Sequence, residues 1–330
     1  MDRRALLQDW LRQVLPGKDF TLAPASSDAS FRRYFRVSLE GRTLIVMDAP
    51  PEHENCAPFI YVAQLFRAAG VHVPEIFAQD TQQGFLLLSD LGGATYLDQL
   101  NEQNADTLYR AANSALIQIQ RASQPHDLPS YDEALLLREM RLFPDWYITQ
   151  HLQLTLSPAQ TETLEQAFQS ILQNVLAQPR VYVHRDYHSR NLMLSDPNPG
   201  VLDFQDAVYG PISYDLVSLY KDAYIAWDET RVVDWTVRYW EDAKRAHLPV
   251  APDFGDFYRD FEWMGVQRHL KVLGIFARLY HRDGKAGYLK DLPLVMDYLR
   301  RACDRYRALG PLLKLLDELH GREQQAGYTF

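Results

Sequence analysis

The pattern of apolar and polar residues changes once along the chain, near residue 90. Before that point, two segments with apolar residues at helical spacing predict helices over residues 2–14 and 57–69. Short apolar and β-branched runs between turn residues predict strands at residues 20–22, 31–39, 43–47 and 85–88. This mixture predicts a small α+β lobe that ends at a boundary near residues 88–95.

Beyond the boundary, helical spacing of apolar residues dominates the pattern. Ser157-Pro158-Ala159-Gln160 is a capping box with proline at the first helical position, and it predicts the start of one helix. The other predicted helices are residues 105–122, 132–151 (bent before Pro144), 214–226, 233–246, 257–279 and 292–319. The C-terminal part of the chain is therefore predicted to be larger and mainly helical.

One stretch, residues 181–216, does not follow the helical pattern. Apolar runs at 181–183, 192–194 and 201–202 predict short strands, and a Ser, Asp, Pro, Asn and Gly segment between the last two predicts a hairpin turn. His184-Arg185-Asp186 follows the first run, Asn191 directly precedes the second, and Asp203-Phe204 follows the third. Two plainer interpretations stay open, an ordinary polar hairpin and a metal site of the type H-x-D-x-H.

The spacing matches the protein-kinase pattern H-R-D-x-x-x-x-N followed by D-F-G, with Gln205 in place of the glycine. Phosphoryl transfer requires a correctly placed hydroxyl and cancellation of phosphate charge. Asp186 is the candidate catalytic base that accepts the hydroxyl proton. Asn191 and Asp203 are candidate ligands of Mg²⁺, which prefers oxygen ligands.

The connector at residues 23–30, between the first two predicted strands, is rich in small residues. Ser26, Ser27, Asp28 and Ser30 could bind the phosphates of ATP through hydroxyl and backbone N–H groups. The segment has no glycine and matches the G-x-G-x-x-G pattern poorly, so a plain turn is the alternative.

Composition excludes several classes of protein. Against 43 acidic residues the chain has 34 Lys and Arg, a net charge of −9, which argues against non-specific nucleic-acid binding. Its two cysteines are too few for a disulfide framework, and no apolar run is long enough to span a membrane. We expect a cytoplasmic enzyme without a membrane anchor or an obligate protein partner.

The chain resembles the aminoglycoside phosphotransferase and choline kinase superfamily. The residues that carry the resemblance are VHRDYHSRN, VLDFQDA and GPISYDLVSL. Within it, ASFRRYFRV, LIVMDAPPE and LLLSDLG look most like the bacterial anomeric kinases of N-acetylmuramate and N-acetylglucosamine. The resemblance implies a two-lobed protein-kinase-like fold of α+β class. Its lobes would be a small antiparallel β-sheet lobe, residues 1–90, and a larger mainly helical lobe, residues 91–330.

The resemblance also implies roles for further residues. Backbone atoms of Leu88 to Asp90 would contact adenine, and Asp215 would anchor the loop after the metal site. The candidate substrate residues are His188, Asp206, Glu139, Trp146 and Arg268. Arg268 and Lys271, three residues apart on one helix, could bind the lactyl carboxylate of N-acetylmuramate, and surface charge is the alternative.

One departure concerns the lysine that in kinases binds the α- and β-phosphates from the third strand. Met47 stands near that position. The candidate replacements for this lysine are three arginines of the preceding predicted strand, Arg32, Arg33 and Arg36. Arg33 is the one counted among the predicted nucleotide-binding residues. Strand alternation puts Arg32 and Arg36 on one face of the strand and Arg33 on the other.

The motifs and the resemblance leave three alternative functions. The first is an ATP- and Mg²⁺-dependent kinase for the anomeric hydroxyl of N-acetylmuramate or N-acetylglucosamine, in peptidoglycan recycling. The second is a kinase for choline, an amino alcohol or an aminoglycoside, which Asp206 could serve by binding a cation. The third is a non-catalytic nucleotide-binding module, suggested by Met47.

Overall fold

The computed structural model describes residues 2–27 and 31–321. The chain forms two compact units. The first consists of Met1–Ala122 and Arg190–Ala207, and the second of Ser123–Ser189 and Val208–Phe330. These packing units differ from the predicted lobes 1–90 and 91–330, because residues 91–122 and 190–207 pack with the N-terminal part of the chain. The lobes as functional divisions stay a prediction.

The first unit contains a five-stranded antiparallel sheet with strand order β1-β2-β3-β5-β4. Its strands are β1 (Thr21–Ser27), β2 (Arg33–Leu39), β3 (Arg42–Asp48), β4 (Ile76–Asp80) and β5 (Phe85–Ser89). In the register of this sheet, Arg33 of β2 pairs with Asp48 of β3, and Leu44 of β3 pairs with Ser89 of β5. The strand predictions are confirmed, with boundaries moved by a few residues.

The helix α1 (Arg3–Val14) covers one face of this sheet. Because strand side chains alternate, every second residue of β2, β3 and β5 points to the same face. The apolar residues buried together with α1 are Leu7, Trp10, Leu11, Leu15, Val37, Leu44, Val46, Phe85 and Leu87. The face of each strand residue is therefore fixed by this core.

A short hairpin also belongs to the first unit. Its strands, β7 (Leu192–Met193) and β8 (Gly200–Val201), are antiparallel. Backbone hydrogen bonds attach it to the rest of the unit, from Val201 N–H to His72 at 2.8 Å and from Leu194 N–H to Ala94 at 2.9 Å. After the hairpin, the ring of Phe204 packs against Phe59 of α2 (Cys56–Ala68) at 4.9 Å between ring centroids. The helices α3 (Tyr96–Gln99) and α4 (Ala105–Arg121) complete the unit.

The second unit is mainly helical, with one two-stranded sheet formed by β6 (Arg180–Val183) and β9 (Val208–Pro211). Its helices are α5 (Glu133–Met140), α6 (Pro158–Ala177), α7 (Tyr214–Tyr220), α8 (Glu229–Arg245), α9 (Phe254–His281), α10 (Leu292–Arg305) and α11 (Gly310–Leu319). A π-helix at Phe143–His151 follows α5, so the predicted helix 132–151 is divided just before Pro144. The capping box at Ser157 is confirmed.

The long helix α9 is the core of the second unit. It packs against α5, α6, α7, α10 and the π-helix, and most of its residues are buried. Gly274 permits one of these contacts, because a Cβ atom there would lie 2.3 Å from the backbone carbon of Leu142. This close approach brings the N-terminal end of the π-helix onto α9.

No helix among the described residues is both long enough and apolar enough to cross a bilayer. Cys56 and Cys303 are buried free thiols.

Candidate active site

The segment 184–189, which we call the catalytic loop, follows β6 in the second unit. Asp215 at the start of α7 accepts hydrogen bonds from the backbone N–H groups of His184 at 2.6 Å and Arg185 at 2.9 Å. Arg185 has a left-handed backbone with φ of 76°. Such a conformation costs about 1–3 kcal/mol and persists only where the surroundings hold it in place. Asp215 supplies part of that support.

The other end of the catalytic loop is attached to Asp222, which follows α7. Its carboxylate accepts hydrogen bonds from the N–H of Ser189 at 3.0 Å and from the Ser189 hydroxyl at 2.5 Å. Asp222 was not among the sequence candidates, because nothing in its spacing distinguishes it from a helix-end aspartate. Both ends of the loop are therefore held by buried carboxylates.

Asp186 lies partly exposed in the middle of the catalytic loop. Its N–H donates to His184 Nδ1 at 3.3 Å, and its carbonyl accepts from the N–H of His188 at 3.0 Å. Burial alone would raise the pKa of the Asp186 carboxyl. The positive charges of Lys271, Arg185 and Arg268, together with the nearby His188, outweigh burial, so the pKa lies below its ordinary value. Asp186 is therefore ionised at neutral pH and able to accept a proton.

Asp215 differs from Asp186 in its protonation. Burial raises the pKa of the Asp215 carboxyl to about 7, against the hydrogen bonds from His184 and Arg185, which lower it. The nearby charge of Asp186 also raises it. Two carboxyl groups with different environments thus lie around one loop.

The histidines of the loop have structural partners. His184 is fully buried, and its ring lies edge-on to Tyr187 at 5.5 Å between ring centroids. His188 makes a similar edge contact with Tyr224 at 5.5 Å. Across residues 2–27 and 31–321, no group of three or more His, Cys, Asp or Glu side chains is arranged to hold a metal ion. The interpretation of H-x-D-x-H as a metal site is thus not supported within these ranges.

The predicted substrate residues of α5 and α9 are buried. Glu139 is 5% exposed, Arg268 4% and Lys271 6%. Lys271 Nζ lies 3.1 Å from Glu139 Oε1. The alternative that Arg268 and Lys271 are surface charges is therefore wrong.

The remaining predicted substrate residues occupy different places. Trp146, on the π-helix, and His188, on the catalytic loop, both belong to the second unit and are partly buried. Asp206 belongs to the first unit, where it is exposed and accepts a hydrogen bond from Gln205 Nε2 at 3.3 Å. Their contacts with a substrate stay predictions.

The candidate metal ligands lie around the β7–β8 hairpin of the first unit. Asp203, at φ of 60°, accepts hydrogen bonds from Asn191 Nδ2 at 3.3 Å and from Gln205 Nε2 at 2.8 Å. Gln205 Oε1 is buried and has no hydrogen-bond partner within the described part of the chain. A carboxylate, an amide and an unsatisfied amide oxygen are oxygen donors of the kind that Mg²⁺ prefers, so the residues present fit this ion.

The predicted phosphate loop is only partly described. Ser26 and Ser27 form the end of β1, and only their backbone is described. Asp28 and Ser30 lie outside the described residues. Of the predicted adenine segment, Leu88 is a buried residue of β5, and Asp90 directly follows that strand.

Arg33 lies on the face of the sheet that packs against α1. Its guanidinium contacts the buried carboxylate of Asp48, which also accepts a hydrogen bond from Arg3 Nε at 2.7 Å. The Arg33 side chain is 50% exposed. This face follows from its register opposite Asp48, two residues beyond the core residue Val46.

Arg36 and Met47 belong to the opposite face. Arg36 binds Asp90, with Nε at 2.7 Å and Nη2 at 3.2 Å, and donates to the carbonyl of Gly92 at 2.9 Å. Arg32, just before β2, has its Nε 3.8 Å from Glu54. Neither Asp48 nor Glu54 was identified from the sequence, because their partners are distant along the chain.

Comparison with known proteins shows similarity to phosphotransferases and sugar kinases. A model of the phosphotransferase enzyme family (APH) matches residues 21–252. N-acetylmuramate/N-acetylglucosamine kinase of Neisseria meningitidis serogroup B is 49% identical over 336 aligned residues, which cover 100% of both chains. The kinase of the same name from Pseudomonas aeruginosa is 55% identical over 298 residues, covering 90% of this chain and 88% of the relative.

Solved structures share the fold at low sequence identity. Choline kinase LicA from Streptococcus pneumoniae has a TM-score of 0.65 at 11% identity, covering 91% of this chain and 99% of that chain. ADP-bound aminoglycoside phosphotransferase APH(2'')-Ib has a TM-score of 0.59 at 15% identity, covering 90% and 98%. The predicted α+β, protein-kinase-like fold is confirmed.

Proposed function

Because the chain belongs to the phosphotransferase enzyme family, we propose that it is an ATP-dependent kinase for the anomeric hydroxyl of N-acetylmuramate and N-acetylglucosamine. The observation that carries this proposal is the 49% identity over the whole of both chains with a kinase of that name. Such an enzyme returns cell-wall sugars to metabolism during peptidoglycan recycling, and we place it in the cytoplasm, where ATP is available.

Asp186 is proposed as the catalytic base. Its carboxylate accepts the proton of the anomeric hydroxyl as the oxygen attacks the γ-phosphorus of ATP, and ADP leaves with the electrons of the broken bond. The lowered pKa of Asp186, which results from the cations around it, keeps the carboxylate ionised. General-base assistance of this kind contributes about 10²–10⁴-fold in rate.

ATP and Mg²⁺ are the proposed cofactors. Bound Mg²⁺ would neutralise phosphate charge during transfer. Asn191 and Asp203 would hold the ion, and the unsatisfied oxygen of Gln205 supports this assignment.

The nucleotide has its own proposed contacts. The phosphates are proposed to contact Ser26, Ser27, Asp28 and Ser30, and the adenine is proposed to contact Leu88 and Asp90. An arginine is proposed to replace the phosphate-binding lysine of the third strand. Arg32 and Arg36 are favoured because strand alternation directs them to the face opposite α1, and Arg33 stays the predicted alternative.

A cationic acceptor, as in the second function, is disfavoured by the charges around Asp186. Lys271, Arg268 and Arg185 are positive groups whose charge acts on its carboxyl. Glu139 offsets part of the charge of Arg185 and Lys271, and no ion pair in the described part of the chain offsets that of Arg268. The remaining positive charge beside the base repels the ammonium groups of choline or an aminoglycoside, whereas it tolerates a neutral sugar or attracts a carboxylate. This distribution supports the sugar substrate over the cationic one.

The acetamido group of the sugar is proposed as a determinant of selectivity. When glucose binds instead, the buried polar group that contacts the acetamido group has no hydrogen-bond partner. Such a loss strongly disfavours binding and turnover of the analogue. His188, two residues beyond Asp186, is the proposed contact to a neighbouring sugar oxygen. Glucose is therefore expected to be a much poorer acceptor than N-acetylglucosamine.

The test incubates the enzyme with Mg²⁺-ATP and a panel of N-acetylmuramate, N-acetylglucosamine, glucose, choline and an aminoglycoside. We expect turnover with the two N-acetylated sugars and a product in which phosphorus couples to C1 in NMR spectra. A 6-phosphate product, or turnover with choline or the aminoglycoside alone, would contradict the proposal. Nucleotide binding without transfer to any acceptor would favour the non-catalytic module.

A further inference from the structure

The carboxylate of Glu139 on α5 is surrounded by donors from three other segments of the second unit. Oε1 contacts the guanidinium of Arg185 and lies 3.1 Å from Lys271 Nζ. Oε2 accepts hydrogen bonds from the hydroxyl of Tyr131 and, at 3.4 Å, from Gln267 Nε2. Both oxygen atoms are therefore engaged by protein groups, and the side chain is almost completely buried.

Lys271 on α9 is held in the same cluster. Its ammonium group donates to the hydroxyl of Tyr214 at 2.9 Å and lies 5.4 Å from the centre of that ring. Burial lowers the pKa of Lys271, but Glu139 and Tyr214 outweigh burial, and the pKa lies above its ordinary value. Lys271 is thus a permanent buried cation.

The cluster is connected to the catalytic base through Arg185. This residue directly precedes Asp186 and has the left-handed backbone of the loop. Asp215 holds its N–H, and the hydroxyl of Ser218 donates to its carbonyl at 3.3 Å. Glu139 holds its side chain. Backbone and side chain are therefore fixed from different helices.

We propose that Glu139 and Lys271 are positioning residues that hold Arg185, and with it Asp186, in the orientation needed for proton abstraction. Glu139 was a substrate candidate in the sequence, and its engaged oxygen atoms give it this different role. The inference rests on the proposed kinase function, since it assigns Asp186 as the base.

The charges around Asp186 agree with this arrangement. Facing it are Arg185 and His188 from its own loop, Lys271 and Arg268 from α9, and Asp215 from α7. Burial raises the pKa of the Asp186 carboxyl, and among the groups that lower it Lys271 has the largest effect. Removing the Lys271 ammonium should therefore raise that pKa.

The first experiment compares Glu139→Gln with Glu262→Gln in the full-length enzyme. Glu262 on α9 is a matched control, because it is 1% exposed and also binds two cations and a tyrosine, namely Lys221, Arg305 and Tyr306. Both variants should lose thermal stability. Only Glu139→Gln should lower kcat, by about 10²-fold as expected for a displaced catalytic group, with KM for ATP and sugar nearly unchanged.

Glu139→Asp keeps the charge on a shorter side chain and should recover part of the lost kcat. If Glu139→Gln retains the wild-type kcat, or if both glutamine variants lose kcat to the same extent, Glu139 only supports the fold and the inference is overturned.

The second experiment does not depend on turnover. The Asp186 carboxyl is titrated by ¹³C NMR in wild-type enzyme and in Lys271→Met, and Asp186→Asn identifies the signal. We expect a higher pKa in Lys271→Met and an acid limb of kcat/KM shifted to higher pH by the same amount. An unchanged carboxyl titration would refute the role of Lys271. Wild-type enzyme that fails with every acceptor would refute the proposed function instead, and the titration would still report on the cluster.

Discussion

Asp186 is the residue on which the proposed chemistry depends most directly. Replacing it by Asn preserves the shape of the side chain and removes the proton acceptor. We expect kcat to fall by about 10²–10⁴-fold, because general-base assistance is lost. The affinity for ATP, measured by titration calorimetry, should stay nearly the same. Asp196→Asn, an exposed aspartate of the β7–β8 hairpin, is the control and should leave kcat intact. Near-wild-type kcat in Asp186→Asn would refute the assignment.

Asp215 gives a prediction about pH. Its carboxyl has a pKa of about 7 in the folded protein because it is buried, against an ordinary value of 3.8. The folded state therefore retains a proton that the unfolded state releases between these two values. Its contribution to stability is complete below pH 3.8 and is lost as pH rises through 7.

The measurement is the free energy of unfolding from pH 4 to pH 7 for wild type and for Asp215→Asn. Wild type should lose stability relative to the variant across this range. The variant is less stable overall, because its amide has one acceptor oxygen in place of two, so one of the N–H groups of His184 and Arg185 loses its acceptor. Parallel pH profiles for the two proteins would show that Asp215 does not titrate there.

At the scale of the elements, strand alternation separates Arg33 and Arg36 of β2, and Arg32 directly precedes this strand. Arg33 faces α1 and Asp48, whereas Arg32 and Arg36 lie toward the other face. A cation is expected near the phosphates, because their charge must be balanced when water is excluded. We expect Arg32→Ala to raise KM for ATP more than KM for sugar.

The controls for this prediction are the two arginines of β2. Arg33→Ala should lower thermal stability with little change in KM for ATP, because Asp48 loses one of its two arginines. Arg36→Ala should disturb Asp90 and the segment after β5. If Arg33→Ala alone raises KM for ATP, the phosphate-binding arginine is Arg33, as first expected from the sequence.

The packing of α9 depends on the absence of a side chain at Gly274. A Cβ atom there would lie 2.4 Å from the carbonyl oxygen of Leu142, so α9 and the segment before the π-helix would have to separate. Overpacking of this kind costs about 1–3 kcal/mol. Gly274→Ala should therefore lower the free energy of unfolding in urea by this amount. Gly287→Ala is the matched control, since nothing lies within 4 Å of its added Cβ. Equal stability of both variants would contradict this packing.

For the whole molecule, binding of Mg²⁺-ATP should be visible as stabilisation. A ligand that binds only the folded state adds about 2.7 kcal/mol at a concentration of 100 Kd. Thermal shift measurements should show an increase in Tm with Mg²⁺-ATP for wild type. Asp203→Ala should abolish Mg²⁺-dependent turnover and the part of the shift that needs Mg²⁺. A variant with unchanged Mg²⁺ dependence would exclude Asp203 as a ligand.

The sequence by itself determined the elements and the order of the reactive residues. Apolar periodicity is a local property, and it predicted α1, α2 and the strands of the first sheet. The spacing from His184 to Asp203 is also local, so the likeness to phosphotransferases could be recognised before any contact was known. Candidate site residues inside one loop or hairpin, such as Asp186, Asn191 and Asp203, could be proposed from the sequence for the same reason, and their roles stay predictions.

Only the tertiary structure decided which charges meet. Glu139 contacts Arg185 of the catalytic loop and Lys271 of α9, and Asp48 contacts Arg3 of α1 and Arg33 of β2. A charged residue in a sequence carries no mark of its partner, because pairing depends on packing between elements that are distant along the chain. Burial is equally non-local, and it turned Arg268 and Lys271 from possible surface charges into buried cations around Asp186. The physical reason is the cost of burying a charge, which is borne only where folding brings an opposite charge beside it.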